Sequence, residues 1–310
     1  MKVSVIIRCL NEARHLPKLL DSLGRQTLKP FEVVVVDSGS TDNSVEIARS
    51  KGARVVHIQP EQFSFGRSLN LGARNVAGDI MIIASAHTYP VSDRWLEWLT
   101  KPFQDSAIAL TYGGQHGEES SKFSEQQLFK QWFPEESTQN QGHSFCNNAN
   151  AAVRRSVWLT MPYDEEIPAL EDIHWAKRAI ERGFRIAYVA NAAIIHVHEE
   201  SYAQVYRRYR REAMGMHMIF PWERMSLRQA FSLAVNAMIS DVKQARKENL
   251  LTSVVGSIAR FRAAQYWGTY RGLNHRGAVS SNLRARFYYP KNYRIKKESA
   301  SNRPEIIVEK

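Results

Sequence analysis

The chain has 310 residues, 44% of them hydrophobic and 24% charged, with a formal net charge of +11. That is enough apolar material for one large α/β core, or for a core with a helical appendage. No apolar run approaches the roughly 18 residues that a membrane-spanning helix needs. The two cysteines, Cys9 and Cys146, are too few for a disulfide framework or a cysteine zinc site and read as buried thiols.

Residues 3–7 read as a strand and not as a signal peptide. Leu16, Leu19, Leu20 and Leu23 then recur at helical spacing. Residues 33–36 are four valines running into Asp37, the pattern of a strand buried on both faces. Ser40-Thr41-Asp42 reads as an N-cap region for a helix over residues 45–50. Residues 55–58 predict a third strand, 67–76 a third helix and 80–84 a fourth strand. This alternation predicts an open parallel sheet with helices on both faces. Ligands of such sheets lie at the carboxyl ends of the strands. The strand exits at 8–12, 37–42 and 85–89 should therefore meet in one crevice. The first exit has no glycine, which argues against a nicotinamide dehydrogenase. The second carries carboxylates that can hold a base N–H or a ribose hydroxyl, or simply cap a helix.

Beyond about residue 200 the pattern becomes helical and basic. Residues 201–310 hold 21 Lys+Arg against 7 Asp+Glu. Tyr202, Val205, Tyr206, Tyr209, Ala213 and Met216 share one helical face, with Arg207, Arg208, Arg210 and Arg211 on the others. Leu227, Phe231, Val235, Met238 and Val242 predict a second helix with Ser226 as N-cap, and residues 252–275 a third. The basic excess predicts an anionic partner, such as lipid phosphate, an anionic membrane surface or nucleic acid. Nucleic acid is the weakest of these, because the tyrosines lie in the apolar stripe and not among the arginines. The tail from about residue 298 reads as disordered.

Several segments, in order, resemble family 2 glycosyltransferases of the GT-A fold. They are Val3-Ser4-Val5-Ile6-Ile7-Arg8-Cys9-Leu10-Asn11-Glu12, Val33-Val34-Val35-Val36-Asp37-Ser38-Gly39-Ser40-Thr41-Asp42, Gly66-Arg67-Ser68-Leu69-Asn70-Leu71-Gly72, Phe145-Cys146-Asn147-Asn148-Ala149-Asn150-Ala151-Ala152 and Glu171-Asp172. Within the family the pattern is most similar to bacterial rhamnosyltransferase-like enzymes of surface-polysaccharide assembly. The resemblance implies an α/β GT-A domain over residues 1–200, with the donor site mainly in 1–112 and the acceptor site mainly in 113–200. A basic helical extension over 201–297 and a tail over 298–310 would follow. It further implies inverting transfer from a nucleotide-diphosphate sugar to a saccharide or lipid-linked saccharide, in the cytoplasm or peripherally at the inner face of the membrane.

The same resemblance implies roles for matched positions. Arg8, Asn11 and Glu12 would line the nucleotide site, with Asp37, Ser38 and Ser40 near the base and Arg67 and Asn70 near the ribose or phosphates. Asp172, beside Glu171, would be the general base, and a helix N-terminus there would favour its ionised form. The family's Asp-x-Asp, which holds a divalent cation, is replaced by Ser85-Ala86-His87. His87 is then a candidate ligand for Mn²⁺, and less well for Mg²⁺, with His196 and, less well placed, His198 from a strand-like run. The loss of those acids leaves a rival reading, a degenerate binding or scaffold protein without catalysis.

Overall fold

The computed structural model describes residues 1–277 together with Leu283 and Tyr288. The expected tail over 298–310 lies outside the described residues. Strand β1 (Val3–Cys9) is buried along almost its whole length. Its valines and isoleucines alternate between two cores. Ile6, Val34, Val36 and Met81 face one, while Val5, Ile7, Val35 and Ile82 face the other. This period of two is what a sheet covered on both faces requires. Strand β2 (Glu32–Asp37), β3 (Arg54–His57) and β4 (Ile80–Ser85) extend the parallel array. Helices α1 (Leu16–Arg25), α2 (Ser44–Ser50) and α3 (Phe65–Arg74) make the connections.

The remainder of the sheet is built from β5 (Thr88–Pro90), β6 (Ile108–Gly117), β7 (Asn150–Arg154) and β8 (Arg185–His196), in the order β3-β2-β1-β4-β7-β6-β8-β5. Helices α4 (Trp95–Thr100), α5 (Phe123–Trp132), α6 (Arg155–Thr160) and α7 (Glu171–Glu181) complete this part of the chain. The sheet is mixed, because β7 runs against β4 and β6, and β5 against β8. The first four strands are parallel as their alternation with helices predicts, and the antiparallel members lie in this second half. The reversal matters for function. Residue Asn150, at the start of β7, pairs near Ala84 at the end of β4. The approach to β7 and the end of β8 are thereby brought to the same edge as the ends of β1, β2 and β4.

Three long helices follow: α8 (Tyr202–Ile219), α9 (Leu227–Lys247) and α10 (Leu251–Leu273). Ser201 with Gln204, and Ser226 with Gln229, form reciprocal capping boxes that start the first two. Helices α8 and α10 approach closely through glycine. A Cβ on Gly268 would lie 2.6 Å from the Tyr206 carbonyl oxygen. Gly215 lets α8 rest on the backbone of Ala169, just ahead of α7. Among the described residues no helix is long and apolar enough to cross a membrane. The arginines read as lying off the apolar stripe of α8 are half-buried: none of Arg207, Arg208, Arg210 and Arg211 is exposed. Helix α9 instead leaves Phe231 71% exposed and Leu227 58% exposed.

The helical layer is pinned by a buried ion pair. The Arg262 guanidinium donates to both carboxylate oxygens of Asp241 at 2.7 and 2.8 Å and to Gln265 Oε1 at 2.8 Å. Removing one partner strands the other charge in the interior. Arg262→Ala should therefore lower unfolding free energy by about 3–5 kcal/mol, read as a shift in denaturation midpoint. Replacing Asp241 and Arg262 together by leucine and methionine should recover most of that loss.

Candidate active site

The first exit leaves β1 through Arg8 and turns at Asn11, which adopts φ +56°. Asn11 tolerates this left-handed backbone better than most residues. Its Oδ1 accepts from Thr41 N at 2.7 Å, and its own N–H donates to Ser40 Oγ at 2.9 Å. Asp42 accepts from Ala13 N and Ser44 N. The turn expected to cap α2 thus also locks the first two exits together.

Asp37 is buried, and its carboxylate accepts from Gly39 N and Ser40 N and pairs with His57 Nδ1 at 3.3 Å. It stands at the end of β2 with Ser38, whose hydroxyl donates to the Cys9 carbonyl. Arg67 is held by Glu165 at 2.8 Å. Asn70, expected near the ribose or phosphates, is buried. Its amide donates to Tyr163 O and Glu165 Oε1, and its oxygen accepts from Trp158 Nε1 and Tyr163 N. With every hydrogen-bonding position used, it has none to offer a ligand. Asn70 is a fastener between α3 and the segment before α7.

A cavity of about 620 Å³ opens at the shared sheet edge. Of the residues singled out in the sequence, Arg8, Asn11, Glu12, Ser85, His87 and the pair Glu171-Asp172 border it, as do His196 and His198. Asp37, Ser38, Ser40, Arg67, Asn70 and the buried Ala86 do not.

Glu171 and Asp172 open α7 after Leu170, whose φ is +64°. A left-handed leucine is strained, and such strain concentrates where geometry is functionally fixed. Glu171 Oε1 lies 3.3 Å from Arg8 Nη1 and accepts from Asn148 Nδ2 at 3.2 Å. Asp172 accepts from the backbone N–H groups of Asn148 and Ile173 at 2.9 and 2.8 Å. Burial, reinforced by the neighbouring Glu171 charge, raises the Asp172 pKa to about 7 against the pull of those donors and Arg8. The helix start was expected to favour the ionised form. Desolvation and like charge outweigh it and leave the carboxyl poised near neutrality.

The three histidines converge. His87 and His196 stack with ring centroids 5.1 Å apart, and the Nε2 atoms of His196 and His198 are 3.0 Å apart. One nitrogen from each of the three lies within 4.8 Å of the others. Each Nδ1 faces a fixed oxygen: His87 that of Glu12 at 2.6 Å, His196 that of Gln115 at 2.8 Å, and His198 that of Glu125 at 2.7 Å. Such partners hold Nδ1–H and turn Nε2 toward a common point, the arrangement that supports imidazole metal ligands. His196 has its pKa lowered well below the usual value by burial, then by His198 and His87, so it is neutral and able to ligate. The donor set fits a divalent transition cation. Burial alone would raise Glu125, but His198 and Arg208 hold it at about 2.

Sequence reasoning missed four contributors. Arg208 and Arg211 come from α8 and border the cavity. The guanidiniums of Arg8 and Arg211 lie 4.7 and 4.9 Å from the Phe65 ring centroid. Arg8 Nε is buried and has no hydrogen-bond partner among the described residues. Asn148 orients both carboxylates, and its signal was present in the Phe145–Ala152 segment without an assigned role. Nothing in the sequence marks Phe65.

Comparison with known proteins matches residues 4–159 to the model of glycosyl transferase family 2. The O-antigen chain rhamnosyltransferase RfbN of Salmonella typhimurium is 27% identical over 237 residues, covering 72% of this chain and 74% of that protein. Glycosyltransferase AglE of Haloferax volcanii is 27% identical over 249 residues, covering 75% and 79%. Among solved structures, the mannosyltransferase PcManGT of Pyrobaculum calidifontis, in complex with GDP-Man and Mn²⁺, superposes with a TM-score of 0.62. It is 17% identical, and the match covers 88% of this chain and 87% of that one. With half its length matched by the family model and the GT-A architecture intact, the chain belongs to glycosyl transferase family 2.

Proposed function

We propose that this glycosyltransferase moves a sugar, with inversion, from a nucleotide-diphosphate sugar to the hydroxyl of a saccharide or lipid-linked saccharide, in surface-polysaccharide or glycolipid assembly. The observation that carries the reading is Asp172: a buried carboxyl with its pKa raised to about 7, held by two backbone amides on the wall of the large cavity. A general base is most effective when its pKa lies near the working pH. Likeness to RfbN supports a deoxyhexosyl donor, and the GDP-Man in PcManGT supports a nucleoside diphosphate leaving group.

In this reading Asp172 accepts the proton of the acceptor hydroxyl as its oxygen bonds to the anomeric carbon. The bond from that carbon to the diphosphate breaks on the opposite side, and its electron pair leaves with the phosphate oxygen. Arg8 and Arg211, steadied on Phe65, meet that developing charge. His87, His196 and His198 would hold a divalent cation, Mn²⁺ in preference to Mg²⁺. When bound, it supplies further charge neutralisation at the diphosphate. Residues 1–200 carry the chemistry in this reading, and α8 of the extension completes the donor wall. A scaffold that had lost catalysis would gain nothing from burying two carboxylates side by side, a costly arrangement. Hydrolysis of a nucleotide sugar by the protein alone separates the two readings.

Four outcomes are expected. Asp172→Asn should reduce transfer by at least about 10²-fold while nucleoside diphosphate affinity stays within a factor of about two. The base must be ionised, so wild-type kcat/KM should fall about tenfold per pH unit below pH of about 7 and level off above it. Near wild-type turnover in the asparagine variant would remove the assignment.

Arg211→Gln should weaken nucleoside diphosphate binding by about tenfold or more and leave nucleoside binding unchanged, by calorimetry. His87→Ala should raise the Mn²⁺ concentration giving half-maximal activity and weaken Mn²⁺ binding in a titration of the protein alone, by about tenfold or more. Full activity in excess chelator would show that the arginines suffice.

A further inference from the structure

A second cavity, of about 390 Å³, lies against the first. Asp172, His196, His198 and Arg208 border both. Away from that common wall the lining changes character. Phe129, Trp132, Phe133 and Phe145 line one side, and Met216 of α8 another. The volume suits a small organic group.

Two further residues of the lining are unusual. Gln115 Nε2 and Tyr209 Oη are buried and have no hydrogen-bond partner among the described residues. The Gln115 amide is oriented by its other end, since Oε1 pairs with His196 Nδ1. The Thr269 hydroxyl, also in the lining, is already donated to Gln265 O. Beyond the common wall the cavity therefore offers aromatic surface and two donors that lack acceptors. A free hexose ring would bury several hydroxyls there without enough partners, each at a cost. A hydrocarbon group carrying one or two ether or hydroxyl oxygens would bury its chain on the rings and give those donors acceptors.

We infer that this cavity takes the apolar aglycone of the acceptor, a hydrocarbon chain joined through oxygen close to the reacting hydroxyl. The inference rests on the proposed role of Asp172, because that carboxyl is what joins the two cavities. It selects amphipathic glycosides over free oligosaccharides as acceptors.

The test uses n-alkyl β-D-glucopyranosides, methyl to octyl, below their micelle-forming concentrations, titrated into the full chain and followed by tryptophan fluorescence and calorimetry. Affinity should rise about three- to fourfold per added methylene until the chain fills the cavity. Met216→Trp, which narrows the cavity, should flatten that dependence. Tyr209→Phe should weaken the series by a roughly constant factor of about three to ten and keep its slope. Phe231→Ser, which removes an exposed apolar side chain on α9, should change nothing. A flat series in the wild type overturns the inference. So does a slope that survives Met216→Trp or is lost in Phe231→Ser, since the chain would then sit on the outer surface. The readout needs no donor, so failure of nucleotide-sugar turnover would count against the proposed function and leave this result standing.

Discussion

Two carboxyl groups side by side in a protein interior repel each other and lose their water, and the catalytic edge of this molecule is organised around that problem. Glu171 is compensated by the Arg8 guanidinium and the Asn148 side chain. Asp172 accepts from two backbone amides while Arg8 pairs with Glu171, and burial together with the Glu171 charge makes it the member whose pKa rises. The asymmetry separates two carboxyl groups into one that is ion-paired and one whose pKa is raised, which on the proposed function is the proton acceptor. Several distant features serve it. The reversed strand β7 brings Asn148 to the edge, the left-handed Leu170 aims the helix start, and Gly215 lets α8 press on the segment behind it.

That same packing makes the C-terminal helices part of the site. Read as sequence, the basic excess after residue 200 suggests a surface facing anions. In the fold, Arg208 turns inward to Glu125 and Glu200, and Arg211 turns inward over Phe65. Burial lowers the Arg211 pKa. A guanidinium under that pressure gains more from an anion than a solvated one does, because the field of a charge is less screened away from water. The close glycine contacts between α8 and α10 fix where those side chains emerge. Arg208 and Arg211 of α8 thus border the cavity, so this part of the basic excess faces inward.

The first four strands and three helices were legible because a sheet covered on both faces writes itself as short valine and isoleucine runs, and strand ends then locate the ligand edge. Residues Arg8, Asn11 and Glu12 and the Glu171-Asp172 pair follow from that rule and from family motifs. Strand direction in the second half was not legible. The antiparallel course of β7 depends on how residues 133–149 return across the sheet, which no local periodicity records. Asn70 misled because a buried amide that fastens backbone and one that binds ribose look identical in sequence. The arginines of α8 were legible as lying off its apolar stripe, but the cavity that Arg208 and Arg211 border was not. An amphipathic pattern identifies the apolar stripe and says nothing about which polar flank meets a cavity.

The exchange of an acidic motif for Ser85-Ala86-His87 changes the charge balance of the whole site. Two carboxylates at a cation site would cancel much of a divalent charge before it acted on a diphosphate. Three imidazoles, one of them held neutral by burial, cancel none of it. Negative charge stands at the Nδ1 side of the imidazoles instead, from Glu12, which also borders the cavity, and from Glu125. There it fixes tautomer and ring orientation without standing between cation and phosphate. Glu125 is further offset by Arg208, which also pairs with Glu200. Arg8 and Arg211 add positive charge on the other side of the cavity. The cavity lining sets the guanidiniums of Arg8, Arg208 and Arg211 beside several carboxylates, Glu12, Glu199 and Glu212 among them, so on the proposed function the placement of the arginines, and not a net excess of positive charge, would meet the departing diphosphate.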